Sequence, residues 1–288
     1  MRRLFSFGGD ALIDCHVHVY PPEVIDGAAA IGEREPYFAL LSGGKVHKWA
    51  TTEDVISAMD RDGIEVSWIF GFAFNDPGLC ALCNDYVIEA VRKHPDRLKG
   101  LAVVNPLAPG VEREITRCKE KGLSGVGELF PGGQGFDISD EEQTRRLAGA
   151  ASEAGMFLLL HTAEPVGHDY PGKGNTGPEE AARFCANHPD QKVVFAHFGG
   201  GLWMYELMPE MRRVLANAWY DTAAWPWLYE PALMTAISSA GVLDKILYGS
   251  DFPILSYPRY ERLISESGIS QKERGMILSD NAKKLAVP

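Results

Sequence analysis

The chain has 288 residues, 45% hydrophobic and 23% charged, with a formal charge of -11 at pH 7. That length allows one large α/β barrel or two ordinary domains. The negative balance argues against a nucleic-acid-binding surface and suits an anionic membrane no better, and no apolar run approaches a membrane span. Five scattered cysteines suit a reducing cytoplasm, the expected location. Cys80 and Cys83 form a C-x-x-C with no second pair, so they read as packing residues. Met1-Arg2-Arg3 is basic, but Phe7-Gly8-Gly9-Asp10 interrupts any secretory apolar region.

Eight short β-type runs are predicted in chain order, over 12–19, 65–72, 98–105, 123–130, 156–162, 192–198, 218–223 and 245–252. Each is nearly continuous in apolar residues, as parallel strands buried on both faces are. Helical patterns fall between them, over 52–61, 81–93, 111–121, 141–154, 179–186, 204–215, 231–240 and 260–265, and 271–284 closes the chain. Gly63, Gly122 and Gly155, and the His-Pro-Asp runs at 94–96 and 188–190, supply stop signals.

Strand then helix eight times, with no break in composition, predicts a single domain over 1–288, a (β/α)8 TIM barrel. A doubly wound open sheet should carry a glycine-rich turn after its first strand. Here that strand runs into Tyr20-Pro21-Pro22 instead. Connections after strands are long at 20–51, 131–140 and 163–178, which makes them candidate lids over the C-terminal face.

The chemistry begins in the first strand, Ile13-Asp14-Cys15-His16-Val17-His18. Alternation puts His16 and His18 on one face, which is half a metal site, with Asp14 one layer deeper. His161, His197, Asp251 and Glu128 fall at the ends of the fifth, sixth, eighth and fourth strands, all toward the catalytic face. Burying so many ionisable groups without a cation would be costly, and Zn²⁺ or Mn²⁺ accepts such mixed ligation. His94 and His188 sit at helix C-termini, where a cation suits the dipole. His47 and His168 lie in long loops and read equally as solvated or substrate-facing. Asn105, Arg34, Lys48, Lys173, Trp203 and Trp225 could line the mouth, though each alone reads as a surface or packing residue.

With these residues in place, the chain resembles the amidohydrolase superfamily, and within it the amidohydrolase-2 group of barrel hydrolases and decarboxylases. The resemblance runs through 13–18, His94-Pro95-Asp96-Arg97-Leu98-Lys99-Gly100-Leu101, Ala196-His197-Phe198-Gly199-Gly200, Tyr248-Gly249-Ser250-Asp251-Phe252-Pro253 and the closing 280–285. It implies that His16, His18, His161 and Asp251 are metal ligands. It also implies that His197 either orients water or substrate or binds a second ion. The fourth strand carries Glu128 where two-metal members have a lysine, so one or two ions per chain remain open, zinc ahead of manganese. Asp14 and Asp221 read as structural.

The resemblance implies a metal-dependent hydrolase, in which metal-activated water attacks an amide, ester or lactone of a small molecule. Asp251 would take and return the proton, and His197 would polarise the carbonyl. Non-oxidative decarboxylation of a small unsaturated or aromatic acid is the alternative. A non-catalytic binding barrel fits poorly, because none of the ligands is missing. Arg34, His168 and Lys173 are the candidate substrate contacts. The partner is a small molecule, not nucleic acid or membrane, and a homodimer is compatible with this reading.

Overall fold

The computed structural model describes residues 11–286; the basic opening at 1–3 and the interruption at 7–10 lie outside them. Eight parallel strands follow in order: β1 (Ile13–His18), β2 (Val66–Phe70), β3 (Leu98–Ala102), β4 (Gly125–Leu129), β5 (Phe157–Leu160), β6 (Val193–Phe195), β7 (Ala218–Asp221) and β8 (Ile246–Leu247). Each pairs with the next, β1 with β2 through β7 with β8. The ring closes between β8 and β1 through a parallel bridge of Val17 with Phe252. Three backbone bonds reinforce the join: Cys15 N to Tyr248 O at 2.8 Å, His18 N to Phe252 O at 2.8 Å and Asp251 N to His16 O at 3.0 Å. The protein is therefore a (β/α)8 barrel, as its alternating pattern predicts.

Local rules explain the helices outside the ring. Helix Pro77–Lys93 starts on Asp76, whose side chain accepts from the amides of Gly78 and Leu79, with Pro77 in the first turn. It buries Leu79, Cys80, Cys83, Val87 and Ala90, at the spacing of one helical face. Full burial of a side chain such as Leu or Val contributes about 1.5–3 kcal/mol. Cys80 and Cys83 lie in this seam as packing residues. A Cβ at Gly71 would stand 2.4 Å from the Cys83 Cβ, so the strand end approaches the helix only because it is glycine there. Helix Thr52–Asp62 has a reciprocal cap between Thr51 and Asp54 and ends on Gly63 at φ +75.

Two sequence expectations are corrected, and one connection gains detail. The long connection at 20–51 holds three short helices, Pro22–Asp26, Ala28–Gly32 and Pro36–Ser42, two of them opened by a proline. The helix expected over 204–215 does not form as one piece. Residues 197–201 all have left-handed φ, between +57 and +97, and Pro209 then starts a separate helix, Pro209–Val214. His188 is not a dipole-facing cation: burial lowers its pKa, and its Nε2 pairs with the Thr144 hydroxyl at 2.8 Å. Among the described residues no helix is long and apolar enough to cross a membrane.

Candidate metal centre

Alternation along β1 places His16 and His18 at one end of the barrel, with Asp14 beneath them. The Asp14 carboxylate accepts from the amide of Ser250 at 2.9 Å. Burial pushes its pKa up to about 7. Asp251 reaches the same end from the turn after β8, where its own φ is +62. His16, His18 and Asp251 form one triplet that could hold a metal ion; Glu128, His161 and His197 form a second. Glu128 points into the barrel and spans both. Its Oε2 lies 3.4 Å from His16 Nε2 and 3.7 Å from His18 Nε2. Its Oε1 lies 2.9 Å from His161 Nδ1 and 3.7 Å from His197 Nε2.

The outer nitrogens of three of these rings have acceptors facing away from the cluster. His16 Nδ1 donates to Asp221 Oδ2 at 2.8 Å. His197 Nδ1 donates to the Ala223 carbonyl at 3.0 Å, and His161 Nε2 to the Lys173 carbonyl at 3.1 Å. With those protons placed outward, the inner nitrogens are lone pairs. They face one another: His16 Nε2 is 3.3 Å from His18 Nε2, and His197 Nε2 is 3.2 Å from His161 Nδ1. Converging lone pairs and carboxylate oxygens in a buried site are stabilised by a cation between them. The donor set therefore fits one or two divalent ions.

The electrostatics agree. Burial opposes a charge on His16, but the carboxylates of Asp221 and Glu128 outweigh it and hold the imidazole well above its ordinary pKa. Burial would raise Glu128, yet His16 first and then His161 hold it well below the carboxylate range. Burial likewise opposes ionisation of Asp251, and the hydrogen bond from His18 with the charges of His16, His18 and His197 overcomes it.

The cluster forms the floor of a cavity of about 480 Å³. Its wall is mostly apolar, with Tyr20, Phe72, Phe130 and Trp227 prominent, while Lys45 and His47 also line it. His47 stacks edge-on against Trp49, and burial lowers its pKa to about 4. The segments 41–47 and 168–172 both line the cavity, so the two long connections do reach the metal end.

Of the expected substrate contacts, only His168 lines this space. Arg34 stands apart, 59% exposed and paired with Asp76 at 3.5 Å. The Lys173 ammonium turns into its own loop, onto the carbonyls of Val166 and His168. Lys48 bonds the Ile254 carbonyl and Asn105 the Asn75 carbonyl. Trp203 and Trp225 are buried packing residues.

Asp221 needs more than the structural reading given to it. It orients His16, and its other oxygen accepts from the amides of His197 and Ala223, both at 3.0 Å. Its place at the end of β7, level with the other strand-end residues, was the available signal. Phe130, stacked on the His161 ring at 3.8 Å, and the Lys173 carbonyl had no such signal.

No curated protein matches the chain. Solved structures share its fold. The 5-carboxyvanillate decarboxylase LigW of Sphingomonas paucimobilis is 16% identical, with a TM-score of 0.77 over 96% of this chain and 99% of that one. The 5-carboxyvanillate decarboxylase of Novosphingobium aromaticivorans, solved with manganese and 4-hydroxy-3-methoxy-5-nitrobenzoic acid, is 18% identical, with a TM-score of 0.77 over 96% of each chain. The 2,6-dihydroxybenzoate decarboxylase of Rhizobium is 19% identical, with a TM-score of 0.70 over 96% of this chain and 99% of that one. The amidohydrolase family profile matches residues 13–285, nearly the whole chain, and the protein belongs to the amidohydrolase-2 family.

Proposed function

We propose that this protein is a metal-dependent, non-oxidative decarboxylase of a small aromatic or unsaturated acid. One observation carries the reading: an apolar cavity with aromatic walls ends on the buried donor cluster. Such a wall suits a flat apolar body, and the cluster suits its polar end. The fold relatives named above act on aromatic acids, which favours decarboxylation over the hydrolysis that the sequence reading put first.

His16, His18, His161 and Asp251 would hold the ion, with Glu128 and His197 beside them. A divalent ion there, manganese or zinc, would supply Lewis-acid polarisation of the substrate's oxygens. The apolar wall strips water from the substrate carboxylate. Asp251, held as a carboxylate by His18, accepts a proton from the substrate's hydroxyl or from water. It returns that proton to the carbon that loses the carboxylate. The carbon–carboxylate bond breaks, its electron pair stays on carbon, the new C–H bond forms there, and carbon dioxide leaves. His197 Nε2 presents its lone pair to the same space and accepts a hydrogen bond from a substrate hydroxyl or from water.

Hydrolysis of an amide, ester or lactone is the second reading, and Glu128 favours it. A carboxylate with one oxygen toward each triplet suits two ions and the activation of water. A panel of aromatic and unsaturated acids, lactones and esters, assayed with Mn²⁺ or Zn²⁺ in deuterated or ¹⁸O-labelled water, separates the readings. Carbon dioxide release with one deuterium at the vacated carbon is expected. An ¹⁸O-labelled new carboxylate without carbon dioxide release would overturn the decarboxylase reading in favour of hydrolysis.

A further inference from the structure

Lys173 is expected from the sequence to reach substrate, and its geometry gives it other work. Its ammonium donates to the carbonyls of Val166 at 3.1 Å and His168 at 3.2 Å, and Asp169 lies 3.7 Å away. The side chain is only 11% exposed. The base of the same loop is closed by the Ala163 amide on the Thr176 carbonyl at 2.8 Å. Lys173 therefore ties the loop back on itself from within.

The backbone of that residue does something separate. Its carbonyl accepts from His161 Nε2 at 3.1 Å. Gly172 and Gly174 flank it with left-handed φ of +94 and +69. A Cβ at Gly174 would stand 3.3 Å from the Phe130 ring and 3.8 Å from His161 Cδ2. The chain can lie against the Phe130–His161 stack there because no side chain intervenes. Across the loop, a Cβ at Gly172 would stand 3.2 Å from Leu41 in the other long connection, so the two lids meet at this point.

We propose that Lys173 is a positioning residue for His161. Its ammonium sets the shape of the loop, and the loop's carbonyl sets the tautomer and direction of the imidazole. Nδ1 then turns toward Glu128 and His197. This is the reverse of His16 and His197, which are fixed through Nδ1 by Asp221 and by Ala223, at the end of β7 and just beyond it. Of these three rings, His161 alone takes its outer acceptor from a lid. Loop closure and the grip of His161 on an ion are then linked, and the linkage is reciprocal: a bound ion steadies the loop, and a loosened loop weakens the ion's hold. The inference rests on the metal-dependent reading above.

The test compares wild type, Lys173→Met and Lys173→Arg. Zn²⁺ affinity is read by competition with a chromogenic chelator, and Co²⁺ absorption reports the ligand field. Hydrogen exchange at the backbone amides of 166–174, followed by mass spectrometry, reads loop opening with and without Zn²⁺. Lys173→Met should bind Zn²⁺ about 10–100-fold more weakly, the usual effect of losing a group that orients a ligand. It should alter the Co²⁺ spectrum and lose the protection of the loop that Zn²⁺ gives wild type, with the thermal midpoint of the metal-free protein unchanged. Lys173→Arg should restore all three. Lys173→Met with wild-type Zn²⁺ affinity overturns the proposal, as does an affinity loss that only tracks a fallen thermal midpoint and is not rescued by arginine. A wild type that binds no Zn²⁺, Mn²⁺ or Co²⁺ would instead overturn the metal-dependent reading itself.

Discussion

Replacing Asp221 with asparagine tests the tautomer argument at a single atom. The carboxylate has two tasks, divided between its oxygens. Oδ1 accepts from the amides of His197 and Ala223, and Oδ2 accepts from His16 Nδ1. The amide oxygen of asparagine can keep the two backbone donors, so the fold around β7 should survive. Its NH2 group then faces His16 Nδ1, two donors at a distance of 2.8 Å in the wild type. The ring must shift its proton to Nε2, the nitrogen that faces His18 and Glu128. That removes a lone pair from the metal-facing set.

Loss of such an orienting partner weakens metal binding about 10–100-fold, or roughly 1.4–2.8 kcal/mol. Protons complicate the measurement in a predictable direction. Asp221 and Glu128 raise the pKa of His16, so in metal-free wild type its proton stabilises the fold below the unfolded-state value. That contribution is lost as pH rises through the raised folded value. An ion must displace this proton, so wild-type affinity should climb with pH, about tenfold per unit for each proton released. Asp221→Asn should flatten the slope, because the larger of the two carboxylate contributions that raise His16 is gone. Zn²⁺ calorimetry over a pH series separates the two effects, and the intrinsic loss is read at the alkaline end. Equal affinity for both proteins there, with His16→Ala binding no Zn²⁺, would refute the reasoning.

Glu128→Gln should reduce the number of Zn²⁺ ions bound, because one of its oxygens faces each triplet; an unchanged stoichiometry of two would remove its role as a shared ligand. Gly200→Ala should cost at least about 1–3 kcal/mol, since φ is +59 there and a Cβ would stand 2.2 Å from the Ala163 carbonyl oxygen. Urea unfolding of the metal-free protein measures it, and a loss below 0.5 kcal/mol, roughly the scale of a neutral surface change, would show that this turn yields easily.

The barrel was legible because its strands are short, apolar and regularly spaced, and the parity of β1 placed His16 and His18 on one face. The strand ends named His161, His197, Asp251 and Glu128 for the same reason. What the sequence hides is which way a ring or an ammonium turns. Lys173 looks like a mouth cation until its loop folds around it, and Arg34 looks the same until Asp76 pairs with it. The pattern over 204–215 suggests one helix, but Pro209 starts the helix afresh, and three successive glycines at 199–201 let the backbone before it turn left-handed. That conformation costs ordinary residues about 1–2 kcal/mol each. The prolines at 22 and 36 marked helix starts inside a connection that otherwise reads as loop.

The join between β8 and β1 has a consequence for how the molecule comes apart. Asp14 and Ser250, bonded across it, are 236 positions apart in sequence. His16 and His18 stand on one side of this join and Asp251 on the other, so a single ion gripping all three would act as a clasp between the beginning and the end of the chain. Removing it leaves one bridge and a few backbone bonds to hold a ring whose other seven contacts are paired ladders. Fraying should then begin at this clasp, with the amides of Cys15, His18 and Asp251 first to exchange with solvent. The same centre that serves chemistry would thus decide how long the cylinder stays shut.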